Sequence, residues 1–115
     1  GRTLIRPFAA EEARVEGYNT LTSTSVTTLV AAAGAGLRNY ITDIFVANTG
    51  AATTLITFKD GAGSTLGATI APTGGGSNII GMNMPMRTGA NATFDWQPAT
   101  ASSVLYCTVK GFKGP

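Results

Sequence analysis

Branched and aromatic residues recur along the chain in short runs separated by Gly, Pro, Asn and Asp, and the clearest runs fill residues 37–61. There Tyr40-Ile41-Thr42-Asp43-Ile44-Phe45-Val46 gives way to Asn48-Thr49-Gly50, and Leu55-Ile56-Thr57-Phe58 ends at Asp60-Gly61. Stiff side chains of this kind fit a half-buried pleated surface, while Asn, Asp and Gly tolerate the positive φ of tight turns. The stretch reads as strand, turn, strand, turn. A Thr/Ser-rich stretch over 18–31 reads as a long or broken strand, and further runs at 65–70, 78–86, 93–97 and 103–113 are divided by turn-rich segments. No long amphipathic helix interrupts them. The pattern predicts an all-β fold, an antiparallel β-sandwich of jelly-roll type.

Alternate residues of a strand face opposite sides of a sheet, so parity sorts the side chains. One face collects Tyr40, Ile44, Val46, Ile56, Phe58, Leu66, Ile70, Ile80, Met82, Met84, Met86, Phe94 and Trp96, the predicted core. The other face carries Ile41, Phe45 and Leu55. In the last run, Leu105, Cys107 and Val109 alternate with Val104, Tyr106 and Phe112, and parity leaves its inner side open. Burying a large apolar side chain is worth about 1.5–3 kcal/mol, so surplus apolar residues on an outer face imply a neighbour there. Ile41, Phe45, Leu55 and Tyr106 are the expected self-association residues.

Residues 1–17 are unlike the rest, holding six of the fourteen charged residues, and read as an N-terminal arm to a β-domain spanning 18–115. Within the arm, residues 7–16 read as one short helix: Pro7 suits a first turn, Glu11 and Glu12 lie early, and Gly17 is a stop. Phe8 and Val15 would share one face of it. So short a helix requires docking on the body or on a partner.

Only 12 % of residues are charged, about half the usual share. The net charge of +2, with cations scattered along the chain, is too small to predict nucleic-acid binding. No run approaches the roughly twenty apolar residues of a membrane-spanning helix, and no signal-peptide pattern opens the chain, so no membrane partner is expected. Catalytic inventory is thin. Histidine is absent and Cys107 is the only cysteine, which leaves no usual zinc site and no base to activate the thiol. Asp60 precedes Gly61 as a turn former, and Asp43 and Asp95 could meet across a sheet, but no general acid-base partner accompanies them. Gly74-Gly75-Gly76 lacks the Lys and the helix start of a phosphate loop. These residues predict no cofactor, no metal and no enzyme.

The order Asn48-Thr49-Gly50, small residues, Leu55-Ile56-Thr57-Phe58, Lys59-Asp60-Gly61 resembles the small β-sandwich virion proteins of tailed phages, a likeness that covers residues 37–110. That resemblance implies a jelly-roll decoration or cement protein on the capsid surface, commonly trimeric, that ties neighbouring major capsid subunits together. Arg2, Arg6, Glu11, Glu12 and Arg14 in the arm are the expected capsid contacts, although the arm itself matches no motif of that group. The alternative expectation is a carbohydrate- or receptor-binding module of a fibre or tail tip, using loops 74–78 and 90–91 with an exposed aromatic such as Trp96.

Overall fold

A computed structural model describes residues 14–61, 63–72, 76–101 and 104–115; for 76–80, 82 and 83 it describes the backbone alone. Eight strands follow one another: β1 (Arg14–Leu21), β2 (Thr27–Val30), β3 (Arg38–Asn48), β4 (Thr54–Asp60), β5 (Ser64–Ala71), β6 (Gly76–Arg87), β7 (Phe94–Pro98) and β8 (Leu105–Gly114). They form two antiparallel four-stranded sheets, ordered β1-β8-β3-β6 and β2-β7-β4-β5. Every sequential partner is nested: β4 pairs with β5, β3 with β6, β2 with β7 and β1 with β8. Such a strip of four antiparallel pairs, rolled so that alternate pairs fall in alternate sheets, is a jelly roll. The expected sandwich is therefore present. With extents of 57 × 24 × 19 Å, the described residues make two layers about 10 Å apart and no third.

Between the sheets lie Leu29, Val30, Ile41, Ile44, Val46, Ile56, Phe58, Ala71, Phe94, Trp96, Leu105, Cys107 and Val109. The open side of the last run is thereby fixed, with Leu105, Cys107 and Val109 inward and Tyr106 outward. Phe58 and Phe94 stack at 5.7 Å across the β4–β7 region of the core.

Two buried amides bound the inner row of β3. Asn48 donates from Nδ2 to the carbonyls of Ala52 (2.9 Å) and Ala71 (3.0 Å), while its Oδ1 accepts the amides of Gly50 (2.9 Å) and Val104 (3.4 Å). At the other end the Asn39 side chain donates to the carbonyls of Ala31 and Ala92, and its backbone amide donates to the Thr88 hydroxyl. Asn48 is thus more than a turn former: it fastens three connections to the central strand.

Three irregularities correct the parity reading, since one extra residue in a strand exchanges its faces beyond that point. In β3 the register against β8 passes from Ile41↔Gly111 to Asp43↔Lys110, leaving Thr42 as the extra residue. Ile41 and Ile44 then both face inward, so Ile41, expected outside, is fully buried. Tyr40, expected in the core, lies on the outer face stacked on Phe112 at 4.9 Å. In β5 the partners pass from Phe58↔Gly67 to Lys59↔Thr65. Leu66 packs against the core, but Ile70, also expected there, is half exposed beside Leu55. In β6, Met86 pairs with Ile41 and Gly81 with Asp43, so residues 82–85 have no partners in β3. Pro85, which lacks an N–H, falls in that gap, and Met84 is exposed rather than buried. Predicted core residues Ile80 and Met82 lie outside the described side chains.

The helix expected over 7–16 is strand where it is described: Arg14, Val15 and Glu16 belong to β1, paired with Phe112, Gly111 and Lys110. Val15 packs against the core, and Gly17 sits mid-strand rather than as a stop. A Cβ there would lie 2.1 Å from the Leu29 carbonyl oxygen, so close approach of β1 to β2 selects glycine. Residues 1–13 lie outside the described residues.

Two substitutions test this frame. A Cβ at Gly111 would fall 1.9 Å from the Tyr40 oxygen, beside the β3 bulge, so Gly111→Ala lowers unfolding stability in urea by about 1–3 kcal/mol. Asn48→Asp turns a double donor into a carboxylate facing two carbonyls, which raises that group's pKa in the folded state. Its cost is smallest below the unfolded carboxylate pKa of about 4 and grows as pH rises through the raised value. Denaturation midpoints measured between acid and neutral pH show that slope.

Candidate interaction faces

Among the described residues no other element covers the outer face of either sheet, and the chemistry of the molecule is concentrated there. Cross-strand register orders the outer face of β1-β8-β3-β6 into rows. One row runs Thr20, Tyr106, Ala47; the next Tyr18, Thr108, Phe45; the next Glu16, Lys110, Asp43; the last Arg14, Phe112, Tyr40 and, on β6, Arg87. Half of this face is thus uncharged and aromatic. Tyr18 is 65 % exposed, Tyr106 37 %, and Phe45 is half-buried.

In the charged half, Arg14 donates to Glu16 at 2.6 Å and Lys110 lies 3.6 Å from the same carboxylate. The hydrogen bond from Arg14, then its charge and that of Lys110, hold the Glu16 carboxyl below its ordinary value. Exposed pairs of this type orient side chains more than they stabilise the fold. Thr42, extruded at the bulge, donates to Asp43 Oδ2 and comes within 3.2 Å of the Lys110 carbonyl.

On the opposite side of the sandwich, Leu55 (43 % exposed) and Ile70 (50 %) are direct cross-strand partners on the outer face of β2-β7-β4-β5. Side by side they form one apolar patch, which backbone register assembles from a pair that parity alone had placed on different faces.

The expected self-association residues therefore separate. Phe45 and Tyr106 share one outer face, Leu55 occupies the other, and Ile41 has no surface to offer because the bulge turns it inward. Tyr18 and Ile70 join these faces and were missed: Tyr18 stood in a stretch with no clear alternation, and Ile70 required the β5 bulge to be known. Of the expected arm contacts, Arg14 is on the outer face of β1, while Arg2, Arg6, Glu11 and Glu12 lie outside the described residues.

Among the described residues the carboxylates do not gather. Asp43 and Asp95 are in different sheets and do not meet. Asp95 is buried with its Oδ1 unpartnered, opposite Lys59 and Thr28. Asp60 Oδ2 accepts the Gly89 amide at 2.9 Å, which ties the turn after β4 to the one after β6. No group of three or more His, Cys, Asp or Glu among the described residues could hold a metal ion. Trp96 is fully buried, so it offers no platform for a sugar ring. Compared with known proteins, the chain matches no family model, and no curated protein is significantly similar to it.

Burial pushes the Cys107 thiol from an ordinary value of 9.0 up to about 12. The folded protein therefore keeps this thiol neutral where the unfolded chain ionises it. Its contribution to stability is complete below about pH 9 and is lost as pH rises toward 12. At pH 8 a thiol reagent such as dithionitrobenzoate labels the urea-unfolded chain within its mixing time and leaves the native protein unlabelled over the same interval.

Proposed function

We propose that the protein is a non-enzymatic structural component of a phage virion, a capsid decoration or cement protein that self-associates and bridges major capsid subunits. The observation that carries this reading is the presence of exposed apolar side chains on both outer faces of a two-layer sandwich. A protein with one such face binds one neighbour. With two opposed faces it joins two.

The faces are assigned to different partners for a geometric reason. If one face of each subunit packed on the opposed face of the next, the contact would repeat, and it gives an open filament unless the rotation between subunits closes a ring. Tyr18, Phe45 and Tyr106 are accordingly assigned to self-association, into the trimer that the sequence resemblance implies. Leu55 and Ile70, with Arg2, Arg6, Glu11 and Glu12 of the arm, are assigned to the capsid, as is Arg14, which stands at the charged end of the other outer face, in a different row from Tyr18, Phe45 and Tyr106. Partly exposed side chains of this size contribute roughly 1–2 kcal/mol apiece on burial, against about 4–15 kcal/mol of association entropy. A single patch is weak, so stable attachment depends on several contacts made together on a lattice. Eight-stranded jelly rolls recur among viral coat proteins, and also among lectins, so the fold supports the reading only by analogy.

Sedimentation velocity at micromolar concentration tests the assignment. Wild type sediments as an oligomer, the double variant Phe45→Asp/Tyr106→Asp as a monomer with an unchanged β circular-dichroism spectrum. Leu55→Asp/Ile70→Asp remains oligomeric but no longer co-sediments with capsids. A wild-type monomer unaffected by Phe45→Asp would sink the self-association reading.

A further inference from the structure

Four of the eight cations that look scattered along the chain come together at one end of the sheet β1-β8-β3-β6. Arg38 opens β3, Arg87 closes β6 and Arg14 opens β1, all on the outer face, while Lys113, the penultimate residue of β8, is at the same end but opposite the inward Asn39 and so of the other parity. Arg14 is paired with Glu16, but no carboxylate among the described residues forms an ion pair with Arg38, Arg87 or Lys113. Arg38 is steadied by a 3.3 Å hydrogen bond to the Thr88 carbonyl, and Arg87 is exposed. Between Arg14 and Arg87 in the same row stands the Tyr40–Phe112 stack, its Tyr hydroxyl fixed by the Pro115 carbonyl.

We infer that this end of the sheet binds an acidic polypeptide segment of a partner protein. Tyr40 is directly opposite Arg87, and Arg38 precedes Tyr40 by two residues, so Arg38 and Arg87 are diagonal cross-strand neighbours roughly 7–8 Å apart. In an extended chain alternate side chains recur at about 6.8 Å, so acids at every second position match the spacing of the two arginine positions on the sheet. Each guanidinium presents a planar fork that matches a carboxylate. Single-stranded nucleic acid fits less well. The Tyr40 and Phe112 rings lie 4.9 Å apart and 8° from parallel, each covering a face of the other, whereas base recognition needs open ring faces. Duplex binding by counterion release would need more cations than these.

The site occupies the charged half of the face and is separate from the Phe45–Tyr106 half, so it stands or falls apart from self-association. Fluorescence anisotropy of the full chain with a labelled Glu-Ser repeat peptide tests it at low salt. Binding is expected with the Glu-Ser peptide, absent with the matching Gln-Ser peptide, about tenfold weaker for Arg87→Gln and weaker again for Arg38→Gln/Arg87→Gln. Arg87→Gln, at an exposed side chain, keeps the wild-type melting temperature, and Tyr106→Asp leaves peptide affinity unchanged. No binding of the Glu-Ser peptide, binding unaltered by both arginine variants, or tighter binding of an oligothymidylate of the same length would overturn the assignment.

Discussion

The structure depends on a short apolar row, Ile41, Ile44 and Val46 on β3, closed at each end by a buried asparagine. β3 pairs with β6 and β8 and so holds its sheet together, while its inner side chains form one wall of the core. A thin two-layer core has little area with which to fix its connections. Asn48 supplies what area cannot, since its side chain satisfies two carbonyls and two amides from segments far apart in sequence. At the opposite end Asn39 repeats only the donor half of the device, to the Ala31 and Ala92 carbonyls, while its Oδ1 has no hydrogen-bond partner among the described residues. Buried amides are costly unless satisfied, so each specifies one arrangement of its loops.

The bulge within that row decides which residues remain for function. Extruding Thr42 places both Ile41 and Ile44 inward and moves Tyr40 outward. Gly111, the partner of Ile41, permits the close approach that the distortion requires. One extra residue therefore exchanges an aliphatic surface for an aromatic one. It also brings Tyr40 beside Phe112 and Arg87, which gives the basic end of the sheet its form.

Much of this was legible in the sequence. Turn residues and β-rich runs sufficed for the fold class, and simple alternation placed Ile44, Val46, Ile56, Phe58, Phe94 and Trp96 inside and Leu55 outside. Alternation failed for Ile41, Tyr40, Ile70 and Met84, each beside a register shift, because a bulge depends on pairing with a strand distant in sequence. For the same reason Asn48 read as punctuation, and the gathering of Arg38, Arg87 and Lys113 was invisible: their proximity exists only once β3, β6 and β8 are side by side. Position 17 misled differently. Glycine after an acidic, alanine-rich run suits a helix stop, but steric contact with Leu29 across the sheets explains it better.

Function, on this account, resides in what the core leaves over. A sandwich that buries its best apolar residues and still exposes Tyr18, Tyr106, Leu55 and Ile70 is suited to being packed on both sides. Hydroxyl-radical footprinting of the protein bound to phage capsids, compared with the free protein diluted until it sediments as a monomer, tests this most directly. The account predicts that Tyr18 and Tyr106 on one face and Leu55 and Ile70 on the other all become protected in the assembly. Meanwhile the buried residues Phe58 and Trp96 stay equally unreactive in both states. Undiminished reactivity of either exposed face in the assembly would contradict it.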